Sequence, residues 1–310
     1  MRWIPTTLCL LALGGAVLAG EPASLTYVVG SGYILRQGDL GIAIDALVAR
    51  DVSEETRALM ARAEAPFDVD LVLVTHSDWD HFDAGIASRN LSANPRAQLV
   101  GPADVVQAVR AAAPALDPTR CIVASPGPDS PQRIEGAGFT VEVFSLPHPS
   151  RSPENVGYRL TLADLVLAHP GDFDVTTAAS DFAQTGFDRV TADVAIVPYY
   201  FFALFPGDVA SCPSRLYVPT HAGPGELSLA CTLARSTPYS ILCFRRSLES
   251  AVLPTARRRS SWKPSPSAAG RFCDREKECG RSGGQILTRG YGVRSCLLIQ
   301  DTRPDPLQPR

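Results

Sequence analysis

The stretch Val69-Asp70-Leu71-Val72-Leu73-Val74-Thr75-His76-Ser77-Asp78-Trp79-Asp80-His81-Phe82-Asp83 divides into two parts of opposite chemistry. Val69, Leu71, Val72, Leu73 and Val74 form an apolar run of the length of a buried strand. His76, Asp78, Asp80 and His81 then fall within six positions. Two imidazoles and two carboxylates at the end of a buried strand are costly to desolvate together unless a cation joins them. A metal ion suits that donor set. In extended backbone, side chains at i and i+2 share a side, so His76 and Asp78 can face one ion. If the chain then turns into a helix, Asp80 and His81 sit in its first turn and can reach a second ion; the helix itself is expected from Asp80 or Phe82 towards Arg89. A solvated loop rich in His and Asp accounts for a lone His-x-Asp pair, but poorly for a run this dense directly after a strand.

Working outward, His148 in Leu146-Pro147-His148-Pro149 and His221 in Leu216-Tyr217-Val218-Pro219-Thr220-His221 stand where a strand gives way to a loop. Asp172 follows Gly171 in the same kind of place. A two-ion site takes about six or seven donors from separate loops that meet at one sheet edge. The chain offers His76, Asp78, Asp80, His81, His148, Asp172 and His221. Singly, His148 reads as a surface-loop residue and Gly171-Asp172 as a turn; their weight comes from the set. His169 reads as a packing residue or a hydrogen-bond partner behind the ligands. Asp45, closing an apolar strand, reads as a turn residue or an acceptor for a ligand's free N–H.

The other segments are strands and helices in alternation. Leu25–Val29, Gly32–Leu35 and Gly41–Leu47 read as strands, Glu54–Ala63 as a helix capped by Ser53, and Pro102 as the start of a helix to about Ala113. Phe139–Phe144, a hairpin turning at Ala163-Asp164, Asp193–Pro198 and Leu216–His221 complete the strands, and residues 114–132 read as a loop. Hairpins with helices between them predict an α+β fold, a four-layer αββα sandwich with two packed sheets and helices outside. The run Tyr199–Phe205 is either a wall of an apolar pocket or ordinary core.

The chain has 310 residues and a formal charge of −3, which gives no reason to expect nucleic acid as a partner. Met1-Arg2, an apolar run from Trp3 and small residues up to Ala19 form a secretory signal over residues 1–19, so the mature chain is expected in the periplasm or outside the cell, without stable membrane insertion. One folded domain carrying the donor set is expected over residues 20–244. From residue 245 to 310, 14 basic residues face 6 acidic ones in a Pro-, Ser- and Arg-rich tail that reads as unfolded, or as an aberrant C-terminus. Seven cysteines lie beyond Cys9, none in a Cys-x-x-Cys pair; they assign no disulfide framework and are taken as non-ligands.

Thr75-His76-Ser77-Asp78-Trp79-Asp80-His81, followed by Pro147-His148, Gly171-Asp172 and Thr220-His221, resembles the signature of the metallo-β-lactamase-fold hydrolase superfamily, with a lactonase-like branch nearest. The resemblance covers about residues 25–225 and implies an αββα sandwich with its site at one edge of the sheets. It implies His76, Asp78 and His148 on a first ion, Asp80, His81 and His221 on a second, and Asp172 between them. Asp78 departs from the pattern, which has His there; the extra carboxylate moves the expected pair of divalent ions from Zn²⁺ towards Mn²⁺ or Fe²⁺, and leaves a single ion as an alternative. The implied activity is attack by a hydroxide held between the ions on an ester, lactone, amide or related bond of a small molecule, with Asp80 as the catalytic acid–base residue. A catalytically impaired metal-binding protein of the same fold and an exported phosphodiesterase are the alternatives. No Gly-x-Ser-x-Gly elbow or P-loop offers another chemistry.

Overall fold

The computed structural model describes residues 21–150, 154–223 and 225–253. The expected signal segment and the tail from residue 254 lie outside the described residues.

Ser24–Val29 (β1), Gly32–Gln37 (β2) and Leu40–Ile44 (β3) form an antiparallel meander. The chain then winds through Glu54–Ala61 (α1), Leu71–Leu73 (β4), Ala84–Ala93 (α2), Gln98–Gly101 (β5), Ala103–Ala112 (α3) and Cys121–Val123 (β6). The second half contains Gln132–Gly136 (β7), Phe139–Ser145 (β8), Val156–Leu162 (β9), Leu165–His169 (β10), Ala178–Thr185 (α4), Ala192–Pro198 (β11), Tyr199–Leu204 (α5), Ser214–Thr220 (β12), Leu227–Arg235 (α6) and Ser250–Val252 (β13). One sheet has the order β13-β1-β2-β3-β4-β5-β6 and the other β12-β11-β10-β9-β8-β7.

The period-2 alternation of each strand sorts side chains between layers. Ile42, Ile44, Leu71 and Leu73 point into the core between the sheets, where they meet Val143, Leu160, Leu167 and Ile196. Ala43 and Val72, one residue out of phase, pack under α1–α3 with Met60, Ile86 and Val109. On the far side, Ala195 and Val197 pack with Phe182 of α4 and Phe201 of α5. Strands buried on both faces read as continuous apolar runs, which is why Val69–Val74 shows no alternation. The expected αββα sandwich is the fold observed.

β3 to β6 are mutually parallel, as are β10 to β12. Parallel strands send all their C-terminal ends to one edge, where crevices for ligands form. The loops after β3, β4, β8, β10 and β12 carry Asp45, the His76–His81 run, His148, Asp172 and His221.

Four local expectations are corrected. The helix after β4 starts at Ala84, not Asp80 or Phe82: the Asp78 carbonyl accepts the N–H groups of His81 and Phe82 in a turn, and Asp83 caps Ile86 N at 2.8 Å. The loop 114–132 contains β6, which completes the first sheet beside β5. The folded unit runs past residue 244, because β13 pairs with β1 and Leu253 is buried. Cys231 and Cys243, left unpaired above, form a disulfide, whereas Cys121 and Cys212 are free and buried.

Candidate metal centre

All seven expected donors converge. Three groups form, each with one donor atom per residue and all atoms within 4.8 Å of one another: His76–Asp78–His148, His76–His81–Asp172, and Asp80–His81–His221. Asp80 and His81 reach the site from a turn, because His76 to Phe82 pass over the end of β4 before α2 begins.

The pair distances approach those of coordination. Nε2 of His76 and Nε2 of His148 each lie 3.8 Å from Asp78 Oδ2. His221 Nε2 lies 3.3 Å from Asp80 Oδ2 and 2.8 Å from Asp172 Oδ2, and His81 Nε2 lies 3.4 Å from Asp172 Oδ1. Donors around a tetrahedral ion with bonds near 2.1 Å stand about 3.4 Å apart.

Behind the donors lies a polar scaffold that fixes their tautomers. Asp45 is fully buried at the end of β3, with φ of +48°, and accepts hydrogen bonds from Thr75 N at 2.8 Å and Thr75 Oγ1 at 2.7 Å. Its Oδ2 also lies 2.8 Å from His81 Nδ1 and 3.0 Å from His169 Nε2. Thr75 Oγ1, having donated to Asp45, is free to accept from His76 Nδ1 at 2.9 Å. With both Nδ1 atoms engaged, Nε2 of His76 and of His81 present lone pairs to the site. His169 is thus a partner behind the ligands, its other nitrogen on the Ile196 carbonyl at 2.9 Å.

Asn155 carried no signal in the sequence. Buried before β9, its Nδ2 donates to the carbonyls of Leu146 and Pro170, and its Oδ1 accepts from Asp172 N at 3.2 Å. One side chain thereby joins the His148 loop to the Asp172 loop. Gly171 at φ +66° makes the turn between Pro170 and Asp172, and a Cβ there would run into Asn155.

The electrostatics call for cations. Burial works against charge on His81, but the carboxylates of Asp172 and Asp45 hold its pKa well above the usual imidazole range. Partial burial also works against charge on His221, yet Asp172 and Asp80 raise its pKa to about 9. His76 is pulled down to about 3 by burial and by the neighbouring His81, whose ring centroid is 3.9 Å away. Burial pushes Asp172 up, but His81 and His221 outweigh it and keep the carboxyl well below its usual range. The carboxylates thus favour positive charge at His81 and His221.

Among the described residues, five buried side-chain atoms lack a hydrogen-bond partner, and three of them are His76 Nε2, His81 Nε2 and Asp172 Oδ1. Orphaned donors of this kind require an explanation in a folded protein. These three form one of the candidate groups, so the residues present fit a bound metal ion.

A cavity of about 710 Å³ opens beside the cluster, lined by Asp80 and His221 at its floor and by Val29, Val48, Trp79, Tyr199, Tyr200 and Leu204 on its walls. The aromatic run therefore serves both expected roles: Tyr199 and Tyr200 face the cleft, while Phe201 and Phe202 are core.

The structure resembles several solved proteins. The metallo hydrolase Igni18 of the archaeon Ignicoccus hospitalis superposes with a TM-score of 0.57 at 15% identity, covering 76% of this chain and 99% of that one. The metallo-β-lactamase-fold protein YhfI of Bacillus subtilis gives 0.52 at 16% identity, covering 74% and 99%. CmlA, a diiron β-hydroxylase of Streptomyces venezuelae, gives 0.50 at 11% identity, covering 76% and 55%. A search of the curated proteins finds no match. The family model described as the Beta-lactamase superfamily domain matches residues 42–237, from β3 to the end of α6. Fold, donor order and family match agree, and the chain belongs to the metallo-β-lactamase-fold superfamily.

Proposed function

We propose that the chain is an exported metal-dependent hydrolase acting on an ester, lactone or amide of a small molecule. The observation that carries this reading is the set of three buried, unpartnered donor atoms, on His76, His81 and Asp172, behind an apolar cleft that Asp80 and His221 of the same donor set line. His76, Asp78 and His148 would hold one divalent ion and Asp80, His81 and His221 a second, with Asp172 between them. When bound, such ions lower the pKa of water and polarise the oxygen of an electrophile. Asp80 both faces the cleft and belongs to the donor set. Burial pushes its carboxyl up, but the His221 hydrogen bond and the His81 charge keep it ionised, fit to orient a nucleophilic water and accept its proton. Tyr199, Tyr200 and Leu204 give an acyl or aryl group an apolar wall.

The cleft lining disfavours the phosphodiesterase alternative. Among the described residues, Asp51, Asp174 and Glu226 join Asp80 around it, against the guanidinium of Arg50, so a polyanion meets more repulsion than attraction from these side chains. Export is supported by the signal-like residues 1–19 and by the Cys231–Cys243 disulfide, which persists in oxidising compartments. Zinc suits the four histidines, and the carboxylate of Asp78 favours Mn²⁺ or Fe²⁺ at the first position.

Elemental analysis of the purified mature protein, joined to a panel of aryl esters, lactones and amides with and without chelator, tests this reading. Two equivalents of metal with chelator-sensitive turnover is the expected result. Bound metal without turnover of any substrate would instead indicate a catalytically impaired relative, and absence of bound metal would overturn the assignment.

A further inference from the structure

Resting on the hydrolase reading, we infer that Arg50, stacked on Trp79 at the cleft mouth, selects substrates that carry one carboxylate on an apolar acyl or aryl body.

Trp79 stands between Asp78 and Asp80, yet its side chain is 52% exposed, which is unusual for a residue of its size. The Arg50 guanidinium carbon lies 4.8 Å from the centroid of the Trp79 ring. Both residues line the cavity, and Arg50 is the sole Lys or Arg among the described residues that line it. The Arg50 side chain forms no ion pair or hydrogen bond among the described residues. Stacking on an aromatic face holds a guanidinium in place while leaving its in-plane N–H donors free. The geometry of those donors matches a carboxylate bidentately. Arg50 lines the same cavity as Asp80 and His221, so a substrate could engage Arg50 at one end and the donor cluster at the other.

The other lining charges limit what Arg50 can accept. Asp174 Oδ1 takes the N–H and Oγ1 hydrogen of Thr176, and Glu226 Oε2 takes Gly223 N at 2.8 Å, so both are held in local turns. With Asp51 they place three further carboxylates on the lining that Arg50 shares. One anionic group can be neutralised there; several cannot. The apolar wall formed by Val48, Tyr199, Tyr200 and Leu204 suits the remainder of a monoanionic molecule of ordinary ligand size.

The test compares a 4-nitrophenyl alkanoate with the 4-nitrophenyl monoester of a dicarboxylic acid of equal chain length, in the metal-loaded protein and in Arg50→Gln, Arg50→Lys and Trp79→Ala. The readout is the ratio of kcat/KM for the monoanionic to the neutral ester. A charge-assisted hydrogen-bond pair is worth about tenfold to a hundredfold, so the ratio should fall by that factor in Arg50→Gln, chiefly through KM, and be partly kept in Arg50→Lys. An unchanged ratio in Arg50→Gln, with circular dichroism matching the parent protein, overturns the inference and leaves the hydrolase reading standing. Calorimetric titration with 5-phenylpentanoate supplies a readout independent of turnover. Arg50-dependent binding without hydrolysis of either ester supports the inference and overturns the hydrolase reading. Binding equal in the parent and Arg50→Gln assigns the carboxylate to the donor cluster and overturns the inference.

Discussion

Asp45 Oδ2 lies 2.8 Å from His81 Nδ1, and its carboxylate is sealed behind the donor cluster with no exposure to solvent. It reaches His81 directly and His76 through Thr75, so one carboxylate sets the tautomer of two donors. Asp45→Asn puts an amide N–H group among groups that need an acceptor. We expect metal affinity to fall about 10–100-fold, the range found when a partner of a metal-binding histidine is lost. Competition with a chromogenic chelator measures it; parent affinity in the variant would show that Asp45 orients neither ring.

Asn155→Ala removes the one side chain that joins the His148 and Asp172 loops, leaving the Leu146 and Pro170 carbonyls and Asp172 N without partners. Each unsatisfied buried group costs about 1–3 kcal/mol, less where water enters the space vacated, so a net loss of about 3 kcal/mol is expected. Urea denaturation of the chelated protein reads the stability, and elemental analysis reads the accompanying loss of metal.

Asp78 is the donor most open to solvent, its side chain 44% exposed. Burial still raises the pKa of its carboxyl. Asp78→His restores a third imidazole to the run and removes one negative charge. Zinc occupancy relative to manganese should then rise on the order of tenfold, because imidazole suits zinc and carboxylate the harder ion. Equilibrium dialysis against both metals, followed by elemental analysis, decides it; an unchanged ratio would mean that Asp78 is not a ligand.

The metal-free protein should lose stability on the alkaline side. His221 titrates near 9 in the fold against 6.5 in an unfolded chain, so the fold holds its proton more tightly. That contribution is complete below about pH 6.5 and is lost as the pH passes about 9. His76 acts on the other side: its pKa of about 3 means that the unfolded chain gains a proton that the fold refuses as pH drops below 6.5. Thermal melts of the chelated protein should therefore peak near pH 6.5 and decline towards pH 9. The metal-loaded protein should show no such alkaline decline, since divalent ions replace the protons; equal alkaline slopes for the two forms would contradict the proton-for-metal exchange.

Much of the centre was visible in the sequence because its donors sit at strand ends. A buried strand announces itself by composition, and polar residues just past it have few other reasons to be there; His76 to His81, His148 and His221 all follow that pattern. Asn155 was invisible because it acts on backbone carbonyls, whose positions come from tertiary structure. The start of α2 was misplaced because Asp78, Asp80 and Asp83 are all plausible caps, and only the turn closed by the Asp78 carbonyl selects Asp83. β13 escaped notice since three residues carry no period; its partner strand β1 specifies it. The short helices α4 and α5 lack the repeats that mark longer ones.

The donor set is divided between the two halves of the chain. His76, Asp78, Asp80 and His81 follow β4 in the first sheet, whereas His148, Asp172 and His221 follow β8, β10 and β12 in the second. Each of the three donor groups draws on both halves, so a chain interrupted between β6 and β8 holds no complete coordination sphere. A complete donor group thus exists only once the two sheets have met, and an ion held there would clasp the first half of the domain to the second.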